Sequence, residues 1–472
     1  MGRPVPQRTP ATLPRRRFLG LGAAGVVALV PRSAAHSEER APLAFQVVAE
    51  EVIATYADPN NGSGPMWCYG SPTIVREGER VLAIVPETGK DAKPLCNTRW
   101  QLFVREPGRG WERAQAGAKF DEREPCPLVR LPGGRILLSV NPAIRQNGQY
   151  PDGRTTHACE PHLLEFSAAD PRKPPVALKP KWDKAYAFTE HSYRGIAADR
   201  LAGEILLLNI LAHEGQAWSH LDRTGSWSRQ GMVVFPRRAC YPQVALRNRA
   251  AHILAISDII EPNPTWRAFK KKVTGRDWDY DFRNLYFTWT PDITKAPFAA
   301  AVTVASREET CGHIRNLDMW IGPDGDAHIL YLDRNIWHAF IRNEFFRGTP
   351  ITVSLVYARV REGKVVEQRT VVEHVENQPA KALVPSYAAL HATADGRLVV
   401  LYHVNGGEAA GNYALQLVPK SDPPPARLPL KLPLASFFAA TERLGTEPSD
   451  TIDLYGPGPE PHTIRYAQVK IR

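Results

Sequence analysis

Short apolar strands that follow tight turns recur along most of the chain. The turns centre near residues 78, 134, 203, 249, 325 and 396, and each leads into four or five mostly aliphatic residues. Glycine at most of these turns supplies the positive φ that a hairpin turn requires. Their mean spacing of about 64 residues divides the chain beyond its N-terminal segment into nearly seven units. The pattern predicts an all-β fold, a β-propeller with seven as the expected number of blades.

The first 35 residues form a separate segment with the layout of an export signal. Three arginines at 15–17 precede Phe-Leu-Gly at 18–20, an apolar run occupies 21–30, and small residues stand at 33–35. This order is typical of a cleaved signal, and the adjacent arginines indicate the twin-arginine pathway. The apolar run is too short to span a bilayer. We therefore expect a periplasmic or secreted protein without a membrane anchor, whose residues 42–472 form one propeller domain.

The charge of the chain argues against a nucleic-acid partner. Residues 1–35 contain six arginines and no lysine or acidic residue, so their removal lowers the formal net charge from +10 to +4. A charge of this size is ordinary for a soluble surface, whereas a nucleic-acid-binding domain has a strongly basic face. It is compatible with a mildly acidic partner.

The cysteines do not have the spacing of a disulfide framework. They are widely separated, and no CxxC pair is present. Because twin-arginine substrates usually fold before export, in a reducing compartment, we expect mostly free or metal-bound thiols. Cys311 and His313 form a C-x-H pair of the kind that binds zinc, and Cys240 or His328 could add a further ligand. The six cysteines are Cys68, Cys96, Cys126, Cys159, Cys240 and Cys311.

Polar residues cluster where a propeller would bring them together. The first strand of a blade starts, and the second ends, at the same mouth of the central channel. At these positions the sequence has His, Tyr and Arg rather than aliphatic residues, and we expect them to line one funnel. The candidates are Tyr69, His191, Arg194, His213, Tyr241, His313 and Arg315.

Two kinds of sugar chemistry compete for this funnel. Glycoside hydrolysis usually needs two carboxylates, for which Asp258 and Asp333 are candidates. A sialidase would instead carry repeated Asp-box turns, of which only a degraded copy is present at 222–227. β-Elimination on a uronate needs a cation that neutralises the sugar carboxylate, a base for the C5 proton and an acid for the leaving oxygen. Histidine, tyrosine and arginine supply these roles without a carboxylate pair.

Two segments resemble a known family. The segment 61–70, Asn-Gly-Ser-Gly-Pro-Met-Trp-Cys-Tyr-Gly, resembles the opening of the bacterial neuraminidase-repeat propellers that include the ulvan lyases. The segment 191–196, His-Ser-Tyr-Arg-Gly-Ile, followed by His213, is similar to their central blade. The resemblance implies a seven-bladed fold, elimination chemistry and a structural zinc. It also implies that His191, His213 and Tyr241 are the catalytic residues.

The arginine that binds the sugar carboxylate in that family has no counterpart at the matching place. The strand after Tyr241 ends in Ser257 and Asp258, so Arg267 or Arg283 must substitute. For Arg283, an ion pair at a blade edge is an equal alternative. We expect the insertion at 262–281, which alternates aromatic and basic residues around Trp266, to be a loop that stacks sugar rings over the funnel.

The sequence therefore predicts an exported polysaccharide lyase that cleaves an acidic, uronate-containing polysaccharide, with or without sulfate groups. No cofactor is required for the reaction, and a structural zinc is the one metal that we consider. Two alternatives stay open: a sialidase-like glycoside hydrolase and a non-catalytic carbohydrate-binding propeller.

Overall fold

The aliphatic runs recognised in the sequence form the inner strands of small antiparallel sheets. The structure, a computed structural model, describes residues 43–67, 71–144, 158–189, 193–212, 214–276, 280–420 and 424–472. Residues 43–472 form one compact unit. Seven four-stranded sheets are arranged as the blades of a β-propeller, which confirms the predicted all-β, seven-bladed fold.

Strand β1 (Phe45–Thr55) comes first in the chain but belongs to the last blade. Blade 1 consists of β2 (Ile74–Glu77), β3 (Arg80–Thr88), β4 (Thr98–Glu106) and β5 (Gly110–Ala116). Blade 2 consists of β6 (Leu128–Leu131), β7 (Arg135–Val140), β8 (His162–Ser167) and β9 (Val176–Leu178). Blade 3 consists of β10 (Arg194–Asp199), β11 (Glu204–Leu211), β12 (Gly215–Leu221) and β13 (Trp227–Val233).

Blade 4 carries an insertion between its second and third strands. Its first strands are β14 (Ala239–Arg247) and β15 (Ala250–Ser257). The insertion forms β16 (Ile259–Ile260), helix α1 (Pro264–Thr274) and β17 (Tyr280–Asp281). The blade is completed by β18 (Asn284–Thr290) and β19 (Val302–Ser306).

The remaining three blades follow in chain order. Blade 5 consists of β20 (His313–Ile321), β21 (Ala327–Arg334), β22 (Thr352–Arg361) and β23 (Lys364–Val375), with helix α2 (Ala339–Phe345) after β21. The 3-10 helix η1 (Pro379–Lys381) leads to blade 6: β24 (Val384–Ala392), β25 (Leu398–Asn405), β26 (Gly411–Val418) and β27 (Ala426–Arg427). Blade 7 contains β28 (Phe438–Ala439), the 3-10 helix η2 (Glu442–Leu444), β29 (Thr451–Pro457) and β30 (Thr463–Ile471).

The ring is closed by pairing the two ends of the described chain. Strand β1 lies antiparallel to β30 as the outermost strand of blade 7, with Phe45 opposite Ile471 and Thr55 opposite Thr463. First strands of successive blades contact one another around the centre, as β10 does with β14 and β14 with β20. Second strands such as β11 are buried along their whole length because a neighbouring blade covers each face, whereas the outer strand β23 is exposed or half-buried except at its last residue.

The two faces of the propeller differ. We call the face where β10, β14 and β20 begin the upper face, and the face where they end the lower face. At the lower face, η2 contacts the first strands of blades 2 to 5. There Glu442 accepts a hydrogen bond from Trp320 Nε1 at 2.7 Å and lies 3.3 Å from both Arg200 and Arg247.

Among the described residues, no helix is long and apolar enough to cross a lipid bilayer.

Candidate functional site

Tyr241 lies at the upper face in an unusual backbone conformation. Its φ is 47°, in the left-handed region, and a register shift interrupts the β14–β15 ladder between Cys240 and Gln243. The carbonyl of Tyr241 accepts a hydrogen bond of 2.8 Å from Nδ2 of Asn316 on the next blade. A non-glycine residue in this region costs about 1–3 kcal/mol, and such strain is concentrated at functional sites. The fold therefore holds Tyr241 in a specific orientation that local preference alone would not select.

The ring of Tyr241 is at the centre of an aromatic group. Its centroid is 4.5 Å from that of Tyr193, 6.1 Å from that of Trp67 and 6.0 Å from that of Phe282. The side chains of Tyr193 and Tyr241 are hydrogen-bonded to each other. Burial, followed by the nearby Cys240 thiol, raises the pKa of Tyr193, so its hydroxyl stays protonated. The two phenols thus form a coupled pair that can hold or pass a proton.

The aromatic group continues onto blade 5. The ring centroids of Phe282 and His313 are 5.5 Å apart. His313 in turn stacks on Trp337, with ring centroids 3.9 Å apart and planes at 18° to each other. Trp67, Phe282, His313 and Trp337 are all half-buried. The result is a continuous row of rings from blade 1 to blade 5, a surface suited to the apolar faces of sugar rings.

His313 lies in a positive electrostatic environment. Burial lowers the pKa of its imidazole to about 3, and the next contributions come from the positive charges of Arg315, Arg334, His338 and Lys270. Arg315 itself lies over the ring of Tyr387, with its guanidinium carbon 5.2 Å from the centroid. The imidazole of His313 is therefore neutral at physiological pH.

Arg283 is part of a buried ionic cluster. Its side chain is fully buried, and its guanidinium binds both carboxylate oxygens of Glu261 and lies 3.2 Å from Asp281. Lys270 of α1 lies 3.1 Å from the same Asp281. The guanidinium also lies over Trp266, 5.1 Å from its ring centroid. Of the two interpretations of Arg283 from sequence, the structure has the ion pair and leaves no exposed atom for a substrate.

The insertion on blade 4 is helical, not the loop that we expected. Asn263 caps α1 by accepting hydrogen bonds from the backbone N–H groups of Thr265 and Trp266, Pro264 begins the helix, and Gly275 ends it in a left-handed conformation. These are ordinary start and stop signals, and they could have been recognised in the sequence. Arg267 is exposed on the helix, whereas Trp266 is half-buried under Arg283.

Arg194 is also engaged within the protein. Its side chain is buried at the start of β10, where Nη2 lies 3.3 Å from Glu122 and donates to the carbonyls of Glu124 and Pro125 at 3.0 and 3.2 Å. Burial raises the pKa of Glu122 to about 7, although Arg194 acts in the opposite direction. Both oxygens of Glu122 accept from the backbone N–H of Asn141. The Arg194 charge therefore holds blades 2 and 3 together instead of facing the funnel.

The side chains of Cys311 and His313 have different neighbours. The Cys311 sulfur lies 3.1 Å from Nη2 of Arg283 and 3.7 Å from Glu261, and burial raises the pKa of its thiol to about 12. Within the described ranges, no group of three or more His, Cys, Asp or Glu side chains is placed to hold a metal ion. Cys126, Cys240 and Cys311 are buried thiols outside any disulfide.

The carboxylates considered for hydrolysis are paired with arginines. Asp258 is buried and forms a salt bridge with Arg238, and Asp333 forms a bidentate pair with Arg307. A catalytic carboxylate must present an oxygen to the sugar, whereas here an arginine side chain binds each carboxylate. The pairing therefore places these two side chains in structural roles.

Three of the predicted site residues, Tyr69, His191 and His213, lie outside the described residues. Tyr193 is the first described residue after His191, and Ala212, which has a φ of 37°, directly precedes His213. Sequence reasoning placed Tyr193 and Arg334 at the mouth of the funnel without giving either a catalytic or binding role, and it overlooked Trp337. A signal was present for Trp337, because an aromatic residue close to the end of a second strand must lie near the mouth.

Comparison with known proteins supports the fold. No protein-family model matches the chain, and no curated protein matches its sequence. An ulvan lyase of polysaccharide lyase family PL25, bound to -[GlcA(1-4)Rha3S]-, is similar in structure, with 12% identity, a TM-score of 0.52 and coverage of 89% of this chain and 95% of that chain. A second PL25 ulvan lyase structure has 11% identity, a TM-score of 0.50 and coverage of 88% and 95%. At such identities the similarity concerns the fold.

Proposed function

We propose that this chain is a carbohydrate-active propeller, and specifically a polysaccharide lyase that cleaves a uronate-containing polysaccharide by β-elimination at its upper face. The observation that carries the proposal is the placement of Tyr241. A strained backbone holds its phenol against Tyr193, in the middle of an aromatic surface. The similar fold of an ulvan lyase bound to a saccharide of glucuronate and sulfated rhamnose is in keeping with this substrate class.

The elimination assigns one role to each kind of side chain. A base removes the proton at C5 of the uronate, the electron pair forms the C4–C5 double bond, and the C4–O bond breaks as an acid protonates the departing oxygen. Tyr241 acts as the acid or the base on one side of the sugar. His191 or His213 acts on the other side, as base or as the group that neutralises the carboxylate. The salt bridges of Asp258 and Asp333 count against the hydrolase alternative, because they leave neither carboxylate free to act.

The N-terminal signal supports the proposed place of action, which is the periplasm or the exterior. Uronate polysaccharides are found outside the cytoplasm, where a chain exported through the twin-arginine pathway would meet them.

The test is the ultraviolet absorbance of the unsaturated uronate during incubation of the mature protein with a panel of uronate polysaccharides. We expect the absorbance to rise with at least one substrate. Tyr241→Phe and His191→Ala should each lower kcat by about 100-fold or more, the usual contribution of a general acid or base. Tyr413→Phe is the matched control, because its hydroxyl donates to the carbonyl of Ala409 on blade 6, away from Tyr241.

Each of the other outcomes favours one alternative. New reducing ends without unsaturated product would overturn the lyase proposal in favour of a hydrolase. Saccharide binding that survives in the Tyr241 and His191 variants, without any turnover of the panel, would favour the carbohydrate-binding propeller.

A further inference from the structure

Arg334 is a cation at the upper face that has no salt-bridge partner among the described residues. It is half-buried at the end of β21, where its Nε donates a hydrogen bond of 3.1 Å to the carbonyl of Ile336. In the part of the chain that the structure describes, it forms no salt bridge. Burial lowers its pKa, which reflects the cost of removing a cation from water, and Glu376 acts in the opposite direction.

The carboxylates around Arg334 are already engaged. Glu376, the acid that influences Arg334, lies 2.6 Å from Arg342 and accepts from the backbone N–H of Ile351 at 3.1 Å. Asp333 is paired with Arg307. Within the described ranges, both terminal nitrogens of Arg334 therefore lack a carboxylate partner and are left for an anion from outside the protein.

The neighbours of Arg334 add a ring surface and more positive charge. Arg334 lies directly opposite His313 in the β20–β21 ladder. Its guanidinium carbon is 5.3 Å from the centroid of Trp337, which stacks on His313. Arg315 and Lys270 add positive potential at His313, although the charge of Lys270 is offset by Asp281.

The segment that carries these groups is held firmly. The side-chain oxygen of Asn335 accepts from the backbone N–H groups of Ile336 and Thr352, and its Nδ2 donates to Pro350 at 3.0 Å. Gly312 packs so closely that a Cβ there would lie 2.4 Å from the carbonyl oxygen of Arg334. A site that is fixed before binding loses less conformational entropy when the ligand arrives.

We infer that Arg334, His313 and Trp337 form an anion-recognising sugar subsite on blade 5. Trp337 stacks on a sugar ring while the terminal nitrogens of Arg334 bind its carboxylate or a sulfate ester. A planar guanidinium matches both anions with two parallel hydrogen bonds. The inference rests on the proposed function for its substrate class, but binding at this subsite does not require turnover.

The test compares three tetrasaccharides with the same β-1,4-linked backbone: cellotetraose, its 6-sulfated form and a tetramer of glucuronic acid. Binding is measured by calorimetry in the Tyr241→Phe background, so that the saccharides are not consumed. We expect an anionic tetramer to bind about 10-fold or more tightly than cellotetraose. Arg334→Gln should erase this preference, and Trp337→Ala should weaken all three to a similar extent.

The control is Lys364→Ala, which removes one positive charge from an exposed position at the opposite end of the same blade and should leave the preference unchanged. A preference for the glucuronate tetramer assigns the subsite to a carboxylate, and a preference for the sulfated tetramer assigns it to a sulfate ester. Equal binding of all three, or a preference that survives in a folded Arg334→Gln variant, would overturn the inference.

The outcome is independent of whether the chain is a lyase. An Arg334-dependent preference without any unsaturated product would retain the subsite and reject the proposed function. Unsaturated product with an unchanged KM in Arg334→Gln would retain the proposed function and reject the subsite.

Discussion

Arg283 and Glu261 form a bidentate ion pair in which neither side chain is exposed. The pair joins the start of the blade 4 insertion to the residue that precedes β18. Asp281 and Lys270 complete the cluster with one charge of each sign. Trp266 packs on the Arg283 guanidinium, so the cluster also fixes the direction in which α1 leaves the blade.

Arg283→Ala should lower the free energy of unfolding by about 3–5 kcal/mol, because it leaves the Glu261 carboxylate buried without its partner. The measurement is urea denaturation. The control is Arg172→Ala, which breaks an exposed pair with Glu112 and should cost less than about 1 kcal/mol. A variant of normal stability with a raised KM would instead show that Arg283 binds substrate.

Tyr193→Phe should lower kcat on the lyase substrate by about 10-fold or more and leave KM nearly unchanged. Its hydroxyl positions the Tyr241 phenol, while its ring, which the variant keeps, supplies the packing. The pH–rate profile should shift as well, because the hydrogen-bond partner of Tyr241 is removed. An unchanged profile together with a lowered melting temperature would mean that Tyr193 is only structural.

Gly445→Ala should destabilise the packing of η2 against the first strands at the lower face. Gly445 has a φ of 88°, and a Cβ there would lie 1.8 Å from the carbonyl oxygen of Arg130, so the backbone must move. We expect the free energy of unfolding, measured by thermal denaturation, to fall by about 3 kcal/mol or more. Gly133→Ala is the matched control: its φ is 77° with no atom within 4 Å of the added Cβ, so only about 1 kcal/mol of backbone strain is expected.

His252 should make the protein sensitive to acid. Its ring is buried against Phe287 and Trp289, neither nitrogen has a hydrogen-bond partner within the described residues, and burial lowers its pKa from 6.5 to about 3. The unfolded chain binds a proton below pH 6.5 and the folded chain does not, so stability is full above that pH and falls as the pH is lowered.

Between the unfolded and folded pKa values of His252, we expect the free energy of unfolding to fall by about 1.4 kcal/mol for each unit by which the pH is lowered. His252→Leu should remove this part of the slope when urea denaturation is repeated from pH 7 to pH 4. The same slope in the variant and the wild type would place the acid sensitivity at other groups.

The propeller could be predicted because its signal is local. Each turn and each aliphatic run acts within about ten residues, and six repeats of the same signal, spaced for about seven units, indicate stacked small sheets. The convergence of Tyr241, His313 and Arg315 on one face followed from the same reasoning, since strand direction alone decides which ends meet.

The partners of the charged residues could not be predicted in this way. Arg194 and Glu122 are 72 residues apart, and Arg443 and Asp318 are 125 apart. Nothing in the local sequence distinguishes an arginine that meets a buried carboxylate from one that stays unpaired. For this reason Arg283 was a plausible substrate ligand in the sequence, whereas Arg334, which forms no salt bridge among the described residues, was expected at the funnel mouth but received no binding role.

The sequence by itself thus determined the repeating strands, the turns and the face on which chemistry-bearing residues gather, because these depend on local conformation and the alternation of side chains. Only the tertiary structure decided how β1 closes the ring against β30, how η2 covers the lower face and which cations remain free for a ligand. These features depend on contacts between distant segments, whose energies are set by burial and charge pairing after the blades have assembled.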